Sequence, residues 1–522
     1  MSQSLLRSSL LVSAWTLVSR VLGFVRDVLL AGWFGAGAGM DAFLVAFKIP
    51  NFLRRLFAEG AFSQAFVPVL AQTREAEGEQ GVRELVARTL GLLATVLALL
   101  TLAAIAGSPW LIRLFAPGFT VEDGRATLAA GLLQITFPYL FFISLVALAS
   151  AVLQTWKRFA WPAFAPVLLN LCLIGFGWWG TTHAAQPLYA LSWGVFAAGA
   201  AQLLLVALPL WRMGLLGWPQ WRWRDSRVRR ILRLMAPIVF ASSVAQLALL
   251  VDSILASLLL VGSVSWLYFA DRLMELPLGV FAIAIGTVLL PALSAAHARR
   301  EAAAFAAQLH WSITVAALII LPAAAALFVL ALPLVATLFQ YGEFGAVDST
   351  MTARALRAYA FGLIGFSYVK ILFPAYSSRQ DTRTPVRIAV MALLIGTGFN
   401  LVAITLVLAR DLPGMHWLLA LGTSLGALLN ATWLWRRLPA ELRAGQAAGQ
   451  GGGTLPRVAA AALLMGAGLW LLAPAAPWWL AAGMGARVLA LAGLIAAGLA
   501  GYLLALLLLG VRPWALLRPA AA

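Results

Sequence analysis

Seven basic side chains lie within apolar stretches of the sequence, where a charge is costly unless it has a partner or a water-filled cavity. All but Lys370 fall in the first two predicted helices and the eighth, and these six form the candidate cluster. Five are arginines and one is a lysine, namely Arg20, Arg26, Arg54, Arg55, Arg272 and Lys48. A planar guanidinium group can bind phosphate through two parallel hydrogen bonds, whereas an ammonium group acts as a point charge. These residue types favour a cavity that accepts a phosphorylated or carboxylated ligand.

Acidic residues occur beside the same stretches in nearly equal number, namely Asp27, Asp41, Glu59, Asp252, Asp271 and Glu275. Helical spacing predicts that Arg55 pairs with Glu59 and that Arg272 pairs with Glu275. Near balance of charge favours a second interpretation, in which interhelical salt bridges hold the helices in register. The dominance of arginine favours the cavity, whose acidic counterions would exchange for an anionic ligand.

The elements that position these charges are predicted from composition. The chain has 522 residues, of which 62% are hydrophobic and 11% charged, against about 45–50% and 25% in soluble proteins. This excess excludes one large soluble enzyme and predicts an all-α polytopic membrane protein with about 14 spans of about 20 residues each. The predicted spans are centred near residues 22, 55, 96, 140, 170, 199, 247, 280, 322, 364, 397, 424, 465 and 497.

The basic residues concentrate in alternate loops, which predicts that both chain termini lie in the cytoplasm. An excess of 37 basic over 19 acidic residues would suggest nucleic acid in a soluble chain, but basic loops are normal beside a bilayer. We therefore expect no nucleic-acid partner. Tryptophan and arginine alternate between Trp211 and Arg233, which is typical of an interfacial segment that binds anionic lipid headgroups.

An internal repeat appears at an offset of about 220 residues. Pro-Trp-Leu-Ile-Arg-Leu-Phe at residues 109–115 matches Pro-Leu-Val-Ala-Thr-Leu-Phe at residues 333–339, and each is followed by a glycine three residues later. A unit of six helices keeps its orientation when duplicated, so we expect a pseudo-two-fold axis along the membrane normal. The predicted divisions are an N-lobe at 1–220, a C-lobe at 221–444, and a glycine-rich linker with a final helix pair at 445–522.

Catalytic motifs are weak in this sequence. None of its three lysines follows a glycine, so it has no Walker A nucleotide loop, and its four histidines form no zinc signature. Ser424 stands in a Gly-x-Ser-x-Gly pattern, but within an apolar helix, where the glycines more simply allow close packing. We expect a transporter without catalytic residues, metal or cofactor, which draws energy from the membrane potential, an ion gradient or removal of product.

The first seventy residues resemble the MurJ/MviN family of lipid II flippases, within the multidrug/oligosaccharidyl-lipid/polysaccharide exporter superfamily. The similarity rests on Ser-Arg-Val-Leu-Gly-Phe-Val-Arg-Asp at residues 19–27 and on residues 41–43 and 48–68. Residues 269–277 and 379–385 are also similar to the family, and the predicted number of spans agrees with it.

The resemblance implies that the chain moves lipid II, an undecaprenyl-diphosphate-linked precursor, from the inner to the outer leaflet of a bacterial inner membrane by alternating access. It implies that Arg20, Arg26, Arg54 and Arg272 line a central cavity and bind the diphosphate. Further charged positions would support or gate that site, namely Asp27, Asp41, Arg55, Glu59 and Glu275. The last helix pair would form a groove for the polyprenyl tail. Membrane lipids and proteins of cell-wall synthesis are the other expected partners.

Three other functions stay open from sequence alone. A drug or polysaccharide exporter of the same superfamily would share the fold but would not need the arginines of the first two helices. An enzyme acting on polyprenyl phosphates would need carboxylates or histidines at the membrane interface. A non-transporting scaffold would use the arginines only for structure. Asp252 could contribute to a cation site, although a salt bridge is the simpler interpretation.

Overall fold

The computed structural model describes residues 3–55, 62–444 and 453–516, and these residues form helices joined by short turns. The helices are α1 Gln3–Phe34, α2 Ala38–Arg54, α3 Ser63–Ala106, α4 Ser108–Phe115, α5 Arg125–Thr136, α6 Tyr139–Thr155, α7 Ala160–His183, α8 Pro187–Arg212, α9 Ser226–Ser257, α10 Ser263–Ala298, α11 Ala302–Val329, α12 Ala331–Phe339, α13 Ala346–Ser377, α14 Arg383–Ala409, α15 Trp417–Arg437, α16 Ala440–Ala444, α17 Thr454–Leu472, α18 Ala476–Ala481, α19 Met484–Leu508 and α20 Pro513–Leu516.

The protein is an all-α polytopic membrane protein, as the composition predicts. Ten segments of the described chain are long and apolar enough to cross a membrane, namely α3, α5 together with α6, α7, α8, α11, α13, α14, α15, α17 and α19. The other predicted spans correspond to α1, α2, α9 and α10, which carry most of the charges discussed above.

The position of α2 differs from the prediction. Its predicted centre near residue 55 lies at its C-terminal end, because α2 ends at Arg54. Gly35 has a φ of 64°, which ends α1 and lets α2 begin at Ala38. Hydropathy alone does not locate this turn, because the residues on both sides of it are apolar.

The repeat is visible in the local structure. The matching segments form the short helices α4 and α12, which follow the long helices α3 and α11. In the first copy Pro138 separates α5 from α6, because proline lacks the backbone donor that would continue a helix. The corresponding α13 runs unbroken from Ala346 to Ser377.

The chain divides into two compact units, unit 1 at Met1–Ser265 and unit 2 at Trp266–Ala522. Helix α9 belongs to unit 1 because it packs on α3. The lobe boundary at 220, which comes from the sequence repeat, stays a prediction, as do the pseudo-two-fold axis and the cytoplasmic location of the termini.

In unit 1, α7 packs between α1 and α8, while α2 packs on α5. Helix α3 is interrupted at Gly78, whose φ of 68° and ψ of −157° are not helical. Further along α3, a side chain at Gly91 would clash with the backbone of Gln220. Gly91 thus allows the segment before α9 to lie against α3, where Gln220 N donates to Ala87 O at 2.9 Å.

In unit 2, α13 packs closely on α15, and α17 packs on α11. Gly365 permits this approach because a Cβ atom there would clash with the backbone at Ala427. Ser424 is fully buried, and its Oγ donates to the carbonyls of Ala358 and Ala420 at 2.8 and 2.7 Å. The prediction that the glycine pattern around Ser424 serves packing agrees with these contacts.

Candidate functional site

The buried guanidinium group of Arg26 is held from two directions in unit 1. Arg26 is 8% exposed and donates from Nε and Nη2 to Asp27 Oδ1 at 3.0 and 2.6 Å. Its Nη1 atom donates to Asn170 Oδ1 on α7 at 3.0 Å, and Asn170 Nδ2 donates to the carbonyl of Ser19 at 2.9 Å. The guanidinium group is therefore charge-compensated by its own helix and oriented by α7.

Asn170 is a functional candidate that the sequence analysis missed. It is 5% exposed and stands in an apolar run of α7. It lies against Gly23, where a Cβ atom would stand 3.6 Å from Asn170 Nδ2, an ordinary van der Waals contact. The available signal was a lone amide in an apolar helix, because such a group needs hydrogen-bond partners inside the membrane.

Arg20 differs from Arg26 although both lie on α1. Its side chain is exposed, and no described carboxylate forms an ion pair with it. One arginine of α1 is thus oriented by protein groups, while the other is accessible to a ligand.

Asp41, near the start of α2, is fully buried. Its carboxylate accepts hydrogen bonds from Gly262 N at 2.7 Å, Ser265 N at 2.9 Å and Ser265 Oγ at 2.6 Å. These donors lie in the turn after α9 and in the first turn of α10, where a negative group is favoured. Asp41 therefore fixes α2 to that turn, and its role in supporting or gating a binding site stays a prediction.

The charges at the other end of α2 are more accessible. Lys48 is exposed and donates to Ser253 Oγ on α9. Arg54 is part-buried, with Nε donating to Asn51 Oδ1 at 3.2 Å, and Arg55 is exposed. Glu59 lies outside the described residues, so its pairing with Arg55 stays a prediction. The helix end thus offers guanidinium groups at its surface.

Arg272 and Glu275 form the predicted ion pair on α10. Arg272 Nη1 lies 2.7 Å from Glu275 Oε2, and the two side chains are 30% and 48% exposed. The guanidinium carbon of Arg272 also lies 4.9 Å from the centre of the Tyr268 ring. This pair belongs to unit 2, whereas the other predicted binding residues belong to unit 1.

Asp252, the candidate cation ligand, is part-buried on α9. Within the part of the chain that the structure describes, no three histidine, cysteine, aspartate or glutamate residues are grouped so that they could hold a metal ion. Its role as a cation ligand or salt-bridge partner stays open.

A network of ion pairs joins α3 to the start of α9, and the sequence analysis missed it. Arg88 lies 2.5 Å from Asp225 and 2.8 Å from Glu84, and Arg227 lies 2.5 Å from Glu77. Burial would raise the pKa of Asp225, but hydrogen bonds from Arg227 and Arg88 outweigh this effect and hold the pKa below its ordinary value. The network fixes the segment 213–225 against α3.

That segment presents the tryptophans predicted to anchor it. Trp218 is 87% exposed, and the guanidinium groups of Arg224 and Arg229 lie 5.2 and 5.3 Å from the centre of the Trp223 ring. Exposed tryptophan beside arginine suits an anionic lipid surface, and the anchoring itself stays a prediction.

Arg487 joins the final helix pair to unit 2. It is 5% exposed, and its Nη1 donates to the carbonyls of Ala336 and Gln340 at 3.1 and 3.3 Å. Its Nη2 donates to the carbonyl of Leu480 at 3.0 Å. Two of these carbonyls lie at the C-terminal end of α12, where the helix dipole favours a cation. The position of α19 is thus set partly by a buried charge.

Apolar side chains dominate the outer faces of the final helix pair, α17 and α19. Large exposed side chains on α17 include Leu463 and Leu471, and those on α19 include Leu489 and Leu508. In a membrane protein such faces suit lipid chains.

Comparison with known proteins gives consistent results. The family model described as "Lipid II flippase MurJ" matches residues 30–488. A probable lipid II flippase MurJ of Vibrio cholerae serotype O1 is 43% identical over 532 aligned positions, which cover 98% of this chain and 97% of that protein.

Solved structures share the fold. The lipid II flippase MurJ in an inward closed conformation has a TM-score of 0.78 and 24% identity, over 95% of this chain and 98% of that one. An inward-facing multidrug resistance MATE family transporter of the MOP superfamily has a TM-score of 0.65 and 17% identity, over 82% of this chain and 96% of that one.

Proposed function

We propose, from the premise that this chain belongs to the MurJ family of lipid II flippases, that it moves lipid II from the cytoplasmic to the outer leaflet of a bacterial inner membrane. The observation that carries this function is 43% identity to a probable lipid II flippase along almost the whole of both chains. The match includes the many membrane-spanning helices that a transporter needs and that a soluble enzyme lacks.

The proposed binding residues are Arg20, Arg26, Arg54 and Arg272, which would hold the diphosphate of lipid II. No covalent bond changes during translocation, so the protein must replace the water around the diphosphate and then release it. Guanidinium groups suit this task because each can donate two hydrogen bonds to phosphate oxygens. The fixed orientation of Arg26, set by Asp27 and Asn170, supports its assignment as a preorganised ligand.

Binding would require Arg272 to exchange Glu275 for phosphate. An exposed ion pair of this kind contributes about 0.2–1 kcal/mol, whereas a hydrogen bond to a charged group that is removed from water contributes about 1.5–3 kcal/mol. The exchange is therefore favourable once the diphosphate arrives. Glu275 would compensate the charge of the empty site and so allow alternating access without a free buried cation.

The polyprenyl tail would remain in lipid beside α17 and α19. Support comes from the exposed leucines of these helices and from Arg487, which fixes α19 against α12. Energy would come from the membrane potential, an ion gradient or removal of product, since the sequence has no Walker A loop.

A reconstituted flipping assay tests the proposal. Proteoliposomes contain lipid II with a reducible fluorophore, and the loss of fluorescence after addition of dithionite reports the fraction that reaches the outer leaflet. We expect Arg26→Ala, Arg54→Ala and Arg272→Ala each to lower the rate about tenfold at subsaturating lipid II, since each loses a charge-assisted bond worth at least ~1.4 kcal/mol.

The matched control is Arg113→Ala, which removes an exposed arginine at the end of α4. Its rate should stay within twofold of the wild type. If all three site variants flip lipid II as fast as this control, the assignment of the binding residues is wrong. Repeating the assay with and without an imposed potential tests the energy source.

The fold of the MATE transporter supports a second candidate, a drug exporter of the same superfamily. Native mass spectrometry of protein purified in mild detergent distinguishes the two. Retention of a species with the mass of lipid II supports the flippase, whereas retention of a drug in preference to added lipid II supports the exporter.

A further inference from the structure

A groove of about 330 Å³ opens at one end of unit 2. Its walls come from the end of α11, the third to fifth turns of α13 and the start of α15. They include the side chains of Arg354, Arg357, Phe328, Phe361 and Trp417. These residues are separate from the proposed lipid II site, and the sequence analysis assigned no function to the two arginines.

Within the described residues, no acidic side chain forms an ion pair with the arginines of this groove. Arg354 and Arg357 are three residues apart on one face of α13, and both are exposed. No described carboxylate forms an ion pair with either guanidinium group, and Arg354 Nη1 has only a weak contact with Met351 Sδ at 3.8 Å. Two neighbouring cations repel each other. An anion between them would remove this repulsion and gain hydrogen bonds from both.

The remaining walls are apolar and aromatic. Phe328 and Phe361 are 42% and 46% exposed, and their ring centres lie 5.4 Å apart in an edge-to-face arrangement. Trp417 begins α15 beside them. A wholly polar anion would leave these rings uncovered, whereas an acyl chain would cover them. The preferred ligand therefore has a negative head and an apolar chain.

The position of the groove along α13 also fits an amphiphile. Thirty-two residues make α13 about 48 Å long, which exceeds a hydrocarbon core of about 30 Å by about 9 Å at each end. Arg354 lies about 12 Å from the start of the helix and Arg357 about 17 Å. Their side chains tilt back towards that start, so the guanidinium groups reach the level of lipid headgroups.

We propose that this groove is a binding site for an anionic glycerophospholipid. Arg354 and Arg357 bind its phosphate, and an acyl chain lies against Phe328, Phe361 and Trp417. The lipid compensates the two charges and thereby stabilises the packing of α11, α13 and α15. By the predicted topology, the bound lipid belongs to the outer leaflet.

The test compares phosphatidylglycerol with phosphatidylcholine by native mass spectrometry of the delipidated full-length protein. The double variant Arg354→Gln with Arg357→Gln removes both charges. The matched control is Arg410→Gln, an exposed arginine at the C-cap of α14, at the same end of unit 2 but outside the groove. Thermal unfolding without lipid establishes that each variant is folded. If the double variant is unstable, Arg357→Gln alone carries the test.

We expect wild type and Arg410→Gln to bind phosphatidylglycerol with equal affinity. The double variant should bind it about tenfold more weakly, because it loses two charge-assisted hydrogen bonds at a partly solvated site. Phosphatidylcholine should bind weakly to all three. Equal binding of phosphatidylglycerol by the double variant and the control would overturn the proposal, as would equal binding of the two lipids by the wild type. Displacement of phosphatidylglycerol from this groove by equimolar lipid II would instead assign the groove to the transported lipid.

Discussion

Replacing Asn170 by alanine should weaken both the packing of α1 on α7 and the preorganisation of Arg26. Asn170 accepts from Arg26 Nη1 at 3.0 Å and donates to Ser19 O at 2.9 Å, and it is 5% exposed. A hydrogen bond to a charged group contributes about 1.5–3 kcal/mol, and a neutral one about 1 kcal/mol. The free energy of unfolding should therefore fall by about 2–4 kcal/mol.

Unfolding by sodium dodecyl sulfate in mixed micelles, followed by tryptophan fluorescence, measures this free energy. The control Thr181→Ala is on the same helix, where the exposed hydroxyl group contacts only carbonyls of its own helix, at Gly177 and Trp178. Its free energy of unfolding should change by less than about 0.5 kcal/mol. A change in Asn170→Ala no larger than that of the control would refute the contribution assigned to the amide.

The flipping assay separates positioning from stability. In Asn170→Ala the Arg26–Asp27 pair remains, but the hydrogen bond from α7 to the guanidinium group is lost. The apparent affinity for lipid II should fall while the maximal rate changes little, because Arg26 can still reach the phosphate but must be ordered on binding. A lower maximal rate with unchanged affinity would show that Asn170 does not act through Arg26.

Three further predictions concern other charges. Arg487→Leu removes a donor from the carbonyls of Ala336, Gln340 and Leu480, of which Leu480 O still accepts from Gln340 Nε2. The free energy of unfolding should therefore fall by about 2–4 kcal/mol in the detergent titration. Glu275→Gln removes the competitor for Arg272 and should strengthen lipid II binding about twofold, measured by titration in nanodiscs. The pKa of Asp225 is lower in the folded protein than in the unfolded chain, where it is about 3.9. The Asp225 carboxylate therefore stabilises the fold above that pH, and this stabilisation is lost as the pH falls through the lower pKa of the folded state. Asp225→Asn should therefore show a smaller loss of stability than the wild type between about pH 5 and pH 3 in thermal unfolding.

The sequence predicted the class of fold because membrane spans follow from composition. Every long apolar window needs a helix, since backbone groups in lipid can be satisfied only within the segment. Local turns were harder to predict: the left-handed Gly35 shifts α2 towards the N-terminus, and Pro138 divides α5 from α6 while α13 is unbroken. These differences depend on single residues within uniformly apolar sequence.

The candidate site was predicted in its residue types more than in its contacts. Spacing on one helix predicted the pair of Arg272 with Glu275, because positions three apart face each other. Contacts between distant segments gave no such signal, so the bond from Arg26 to Asn170 and the ion pair of Arg88 with Asp225 were missed. A period of 3.6 residues describes one helix and carries no information on which helices meet.

The two interpretations of the charged residues each apply to a different part of the molecule. Asp41 is buried among fixed hydrogen-bond donors, as the structural interpretation of the charges requires. Arg20 is exposed, and no described carboxylate forms an ion pair with it. Arg272 forms an ion pair with a half-exposed glutamate that phosphate can displace. A flippase needs both classes, because a site made only of free cations would be unstable in the membrane and a site made only of fixed pairs could not exchange them for a ligand. Fixed groups of the first class can therefore orient helices through the transport cycle, while exchangeable groups of the second class supply the affinity that changes when the lipid binds.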